Sequence, residues 1–263
     1  MTDHLKTAQG RALRVTGALA LLLCLSLAWL APAALAQSPG PLQGKMFGGG
    51  NRALIVVLHG DVSKGGPADY HYDIAARIAA QNKGTSVFAM LRPGYGDSKG
   101  DKSPGSNNNR RDHYTKTNNS MVAKTIQALA QQTGNSRVIA VGHSGGAAQV
   151  GAIIGAHPGL IDSAILVSCP CHITQWRQAR GKSAWRNSVS PHSLVAKIAP
   201  GTRIIAAVGT ADDNTFPQLS QDYVAAAQAR GLPASFVPIN GARHGFGGLQ
   251  ATVEKLVKSE VSK

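Results

Sequence analysis

From residue 53 onward, short apolar runs alternate with longer stretches in which apolar side chains recur at helical spacing. The runs at 53–58, 85–91, 136–141, 163–167, 202–208 and 234–239 are rich in Val, Ile and Ala and are predicted as strands. Between them, 68–81, 118–132, 145–157, 215–230 and 248–261 are predicted as helices. In 68–81, Ile74 and Ile78 share a face with the alanines, and Gly84 follows as a stop. Gly134 and Gly231 close two of the others in the same way. Strands alternating with helices predict an α/β domain with a doubly wound, mostly parallel sheet covered on both faces.

Three stretches fall outside this alternation. Residues 37–50, rich in Gly and Pro, read as a linker or short entry segment, and the polar stretch 96–114 reads as a long loop. Residues 170–200 are predicted to form a short cap above the strand ends; they carry Trp176, Trp185, Arg177, Arg180 and Arg186. The tryptophans are expected either to line the site or to hold this segment to the sheet, with the second favoured. The full chain of 263 residues suits one large or two small domains, and the element order fits a single domain over 37–263.

The first 36 residues follow another pattern. Lys6, Arg11 and Arg14 precede an apolar run from Val15 to Leu30, and Ala34-Leu35-Ala36 supplies small residues before Gln37. This is the layout of a secretory signal peptide over 1–36, with cleavage after Ala36 and a periplasmic or secreted product. Cys24 lies inside the apolar run behind Leu23, which argues against a lipoprotein. No later stretch is long and apolar enough to span a bilayer.

The net charge of +14 stays strongly positive when Lys6, Arg11, Arg14 and Asp3 are removed, yet no long basic run or nucleic-acid motif occurs. The predicted surface either binds anionic envelope components weakly or is simply solvated. Beyond the signal peptide, Cys169 and Cys171 flank Pro170. An exported chain meets an oxidising compartment, so a disulfide and free thiols are both open. A metal would need more ligands than nearby His172 provides.

The chemistry-bearing residues follow predicted strands. Gly142-His143-Ser144-Gly145-Gly146 spells G-x-S-x-G between a strand and a helix, the context of a nucleophile elbow that exposes a serine hydroxyl on a tight turn. Serine needs a base to take its proton, and the base needs a carboxylate to orient it. His244, in Gly241-Ala242-Arg243-His244-Gly245-Phe246 after the last strand, is the predicted base. Either Asp212 or Asp213, in Gly209-Thr210-Ala211-Asp212-Asp213-Asn214, supplies the acid. Asp212, nearer the strand end, is the predicted one, which leaves Asp213 as a helix N-cap or loop residue. The other histidines beyond the signal peptide are expected to be structural or exposed, with His143 packing beside the elbow. The oxyanion hole is assigned to the backbone N–H groups of Gly145 and of Asp61, in His59-Gly60-Asp61 after the first predicted strand. The Asp61 carboxylate is expected to be paired or turned away, since a free negative charge there opposes catalysis.

These motifs, with Arg92-Pro93-Gly94-Tyr95-Gly96-Asp97-Ser98, resemble the α/β-hydrolase superfamily across nearly all of 37–263. Gly209 to Asn214 is similar to the acid loop of prolyl oligopeptidase-type peptidases, whose first aspartate is catalytic. Dienelactone hydrolases and small esterases are similar too. The resemblance implies a mostly parallel sheet of about eight strands, no metal or organic cofactor, and a small-molecule ester or acyl substrate. It favours an exported carboxylesterase working through an acyl-enzyme. A serine peptidase or aminoacyl hydrolase of the same fold, and a non-enzymatic envelope-binding scaffold, are the alternatives.

Overall fold

A computed structural model describes residues 40–263. The signal peptide expected over 1–36 lies outside the described residues. Seven strands form one sheet in the order β1-β3-β2-β4-β5-β6-β7, with β1 Gly44–Gly48, β2 Leu54–Leu58, β3 Ser86–Met90, β4 Val138–His143, β5 Ser163–Val167, β6 Arg203–Gly209 and β7 Ala234–Ile239. All neighbours are parallel except β1, which runs antiparallel to β3. The sheet thus has seven strands among the described residues where the resemblance implies about eight.

Strands β2, β3, β4 and β5 are buried along their whole length. The two faces are separated by the period-2 geometry of a strand. Leu54, Val56 and Leu58 join the core beneath α2 Lys116–Thr133, α3 Gly145–Ala156 and α5 Pro217–Gln228. Ile55 and Val57 join the other core, beneath α1 His71–Gln81 and α6 Gln250–Val261. The remaining helix, α4 Ile173–Ala179, lies within 170–200, followed by a 3₁₀ segment at Pro191–Lys197.

The expectation of a linker over 37–50 is corrected by β1. Its pattern is weak because only one edge is paired and most of its residues are exposed. Gly44 is there for close packing: a Cβ would strike the Ala89 carbonyl and meet the Phe88 ring at 2.6 Å. At the opposite edge, Pro238 is tolerated because β7 pairs only with β6.

Strand order places the site. β3 lies on one side of β2 and β4 on the other, so the connections leaving β2 and β4 diverge and open a crevice at the carboxyl ends of the strands. Leu58 pairs with Gly142, which sets the loop from His59 beside the turn at Ser144.

Candidate active site

Ser144 sits between β4 and α3 at φ 53° and ψ −116°, a left-handed conformation for a residue with a Cβ. The flanking glycines let the turn close. A Cβ on Gly142 would lie 2.5 Å from the Gly146 carbonyl oxygen, and one on Gly146 would lie 2.6 Å from those of Leu58 and His59.

His244, from the loop after β7, brings Nε2 to 3.0 Å from Ser144 Oγ. Its Nδ1 lies 3.0 and 3.1 Å from the two carboxylate oxygens of Asp212, from the loop after β6. A carboxylate only accepts, so Nδ1 carries the proton and the Nε2 lone pair faces the serine hydroxyl. The Asp212 carboxylate is held in turn by the Asn214 and Thr215 N–H groups, each at 2.9 Å, and by the Thr215 hydroxyl at 2.8 Å. Burial pushes Asp212 upward, but hydrogen bonding and charge attraction from His244 outweigh it and bring its pKa down to about 2. Asp213 takes the loop role: it is exposed, 2.9 Å from Arg243, and four residues ahead of α5.

Asp61 is paired. Its Oδ1 lies 2.8 Å from Nη1 of Arg92, whose side chain is fully buried, and its Oδ2 accepts from the Tyr114 hydroxyl at 2.5 Å. Arg92 also donates to Gln149 Oε1 at 2.6 Å and to the His59 carbonyl at 3.2 Å. Burial alone would raise the Asp61 pKa; Arg92, His113 and Tyr114 hold it far below the usual carboxylate range. This cluster packs directly on Gly145, where a Cβ would collide with the Asp61 carboxylate and approach the Tyr114 hydroxyl to 2.7 Å. Gly145 opens α3, so its N–H has no intrahelical acceptor.

His143 ties two loops together. The Gly60 N–H donates to the Tyr70 oxygen and the Tyr70 hydroxyl to His143 Nδ1, both at 2.6 Å. His143 Nε2–H then donates to the His244 carbonyl at 2.9 Å. Burial, with the nearby His244, lowers the His143 pKa to about 4, so the ring is neutral in this relay.

Two cavities meet at Ser144, His244 and Asp61. One, of about 540 Å³, also reaches Trp176, Trp185, Arg177 and Arg180. The other, of about 300 Å³, is lined by Tyr70, His143 and Phe246. Trp176 and Trp185 therefore line the site as well as packing the 170–200 segment; their rings are 5.3 Å apart, and Trp176 Nε1 donates to the Asn214 carbonyl at 2.8 Å. Cys169 and Cys171 form a disulfide at the end of β5. No group of three or more metal-ligating side chains occurs among the described residues.

Tyr70, Arg92, Tyr114 and Thr215 were not singled out by the sequence. Their roles depend on contacts across the fold, and only Arg92, in Arg92-Pro93-Gly94-Tyr95-Gly96, sat in a motif that pointed toward the site.

The sheet and its flanking helices are those of an α/β hydrolase. The sequence profile of the serine aminopeptidase (S33) family matches residues 49–251, and the chain belongs to that family. It is a serine hydrolase. No similar sequence is found among curated proteins. Among solved structures it is similar to esterase PE8, with 19% identity and TM-score 0.63, covering 83% of this chain and 98% of that one. It is also similar to the Paleococcus ferrophilus monoacylglycerol lipase, with 18% identity and TM-score 0.59, covering 83% and 98%. The esterase Est2 of Thermogutta terrifontis, with propionate bound, has 16% identity and TM-score 0.62, covering 83% and 88%. These likenesses show the fold.

Proposed function

We propose that this chain is an exported carboxylesterase that works through an acyl-enzyme. Ser144 Oγ bonds to the substrate carbonyl carbon as its proton passes to His244 Nε2. Asp212 holds the imidazole in the required tautomer and stabilises the imidazolium. The N–H groups of Asp61 and Gly145 receive the oxyanion. The imidazolium returns its proton to the departing alkoxide as the carbon–oxygen bond breaks. Water, deprotonated by His244, then releases the acid and restores Ser144. The reading rests on one observation, the continuous contact from Ser144 Oγ through His244 to Asp212 at 3.0 Å per step.

Ester substrates are favoured over aminoacyl ones by charge. The α-ammonium of an aminoacyl group needs a free carboxylate, and Asp61, in the larger cavity, is already matched by Arg92. Export is supported by the signal-like N-terminus and by a Cys169–Cys171 disulfide suited to an oxidising compartment. The test is fluorophosphonate labelling of the folded protein, followed by mass spectrometry and a screen of short esters against aminoacyl amides. A single adduct on Ser144 with ester turnover is expected. No adduct, or turnover confined to amides, would overturn the proposal.

A further inference from the structure

The larger cavity carries more positive charge than the catalytic reading uses. Arg110, Arg111, Arg177, Arg180 and Lys182 all line it. The one carboxylate lining it, Asp61, is already engaged by the buried Arg92. None of the five cations has a carboxylate partner within 4.0 Å among the described residues.

The cluster is built, not scattered. Arg177 lies in the last turn of α4 and Arg180 is the residue that caps its carboxyl end, and both lie over tryptophan rings. The Arg177 guanidinium is 5.0 Å from the Trp185 ring and 5.7 Å from that of Trp176, and Arg180 is 5.5 Å from Trp176. The facing loop is held by Asp112, whose carboxylate accepts the N–H groups of Arg186, Asn187 and Ser188 at 2.8–3.1 Å. Arg110 and Arg111, just ahead of that clasp, line the same cavity as Arg177 and Arg180. Asn108, Asn109, Arg110 and Asp112 all adopt positive φ, strain that persists only where surrounding contacts enforce it. The buried Arg110 Nε has no hydrogen-bond partner among the described residues. Like charges gathered at a cavity wall repel, and an incoming anion relieves that repulsion.

We propose that the substrate is an ester bearing an anionic group, a carboxylate or phosphate, remote from the scissile bond. This rests on the esterase reading above. The two cavities share Ser144 and His244, so an ester lying across Ser144 extends one arm into each. The charged arm lies among Arg177, Arg180 and Lys182, with the paired tryptophans as its apolar wall. The uncharged arm lies against Tyr70 and Phe246.

Matched substrate pairs test this. Mono-4-nitrophenyl adipate against 4-nitrophenyl hexanoate places the charge on the acyl side; 4-acetoxybenzoate against 4-acetoxybenzamide places it on the alcohol side. In at least one pair the anionic member should have a kcat/KM roughly tenfold or more above the neutral one at low ionic strength, and the ratio should fall toward one as salt shortens the screening length. The ratio should also collapse in R177Q/R180Q. The exposed pair R111Q/K182Q provides a second variant that leaves the tryptophan packing alone, and it should lower the ratio as well. Ratios of one or less in both pairs, insensitive to salt and to either variant, would overturn the proposal while leaving the esterase reading intact. Calorimetric titration with adipate and 4-hydroxybenzoate against 4-hydroxybenzamide separates the two ideas. Anion binding that both variants weaken, without turnover of any ester, would uphold the anion site and sink the esterase. Neither binding nor turnover would sink both.

Discussion

Arg92 Nη1 lies 2.8 Å from Asp61 Oδ1, and the pair packs beneath Gly145 with the arginine wholly buried. An acidic residue can therefore stand beside the candidate oxyanion site, because its charge is matched before any substrate arrives.

Breaking that pair from one side should be costly. Arg92→Met leaves the part-buried Asp61 carboxylate without its cation, and a loss of about 3 kcal/mol is expected. Arg92→Lys should recover little, since one ammonium cannot serve Asp61, Gln149 and the His59 carbonyl together. Adding Asp61→Asn to Arg92→Met should restore part of the loss. Urea unfolding of the three variants checks this, and an unchanged midpoint for Arg92→Met would contradict it.

Strain at the elbow has its own signature. Ser144 holds φ 53°, which glycine adopts freely and alanine does not. Ser144→Gly should therefore be more stable than Ser144→Ala by about 1 kcal/mol, after subtracting the usual cost of a more flexible unfolded chain. Denaturant midpoints of the two variants decide it; a less stable glycine variant would mean that the turn is relaxed.

Acid should weaken the fold well before its carboxylates titrate. His59, His71 and His143 all have folded pKa values lowered by burial, His71 to about 3 and His143 to about 4, against an ordinary value of 6.5. Below 6.5 the unfolded chain binds protons that the folded chain refuses, so stability falls as pH falls. Each histidine contributes at most about 1.4 kcal/mol per pH unit until its folded value is reached. Asp212 and Asp61, both depressed, stabilise above the ordinary carboxylate value of 3.8 and lose that contribution only below it. Denaturant midpoints measured from pH 7 down to pH 4.5 should decline steadily, and a flat profile would refute the assignment.

Much of this was legible in the chain because it depends on local signals. The runs at 163–167 and 234–239 match β5 and β7 residue for residue, since each is a short, mostly apolar run set between turn residues. Ser144, Asp212 and His244 each follow a strand, and a parallel sheet delivers such positions to one end. β1 was missed because an exposed edge strand with glycine at both ends carries no apolar pattern. α1 begins at His71 rather than 68, and the Ala68 N–H ahead of it donates to the Gly96 carbonyl. The gathering of Arg110, Arg111 and Lys182 around one cavity with Arg177 is not legible in the chain, since it joins segments far apart in sequence.

β1 also bears on the order in which the molecule assembles. It runs against the other six strands and fastens only to β3, which itself must first be seated beside β2. Its partner lies well downstream, so a chain emerging amino end first cannot secure its leading strand until that later section has folded. The entry to the domain is thus the last part of that edge to close.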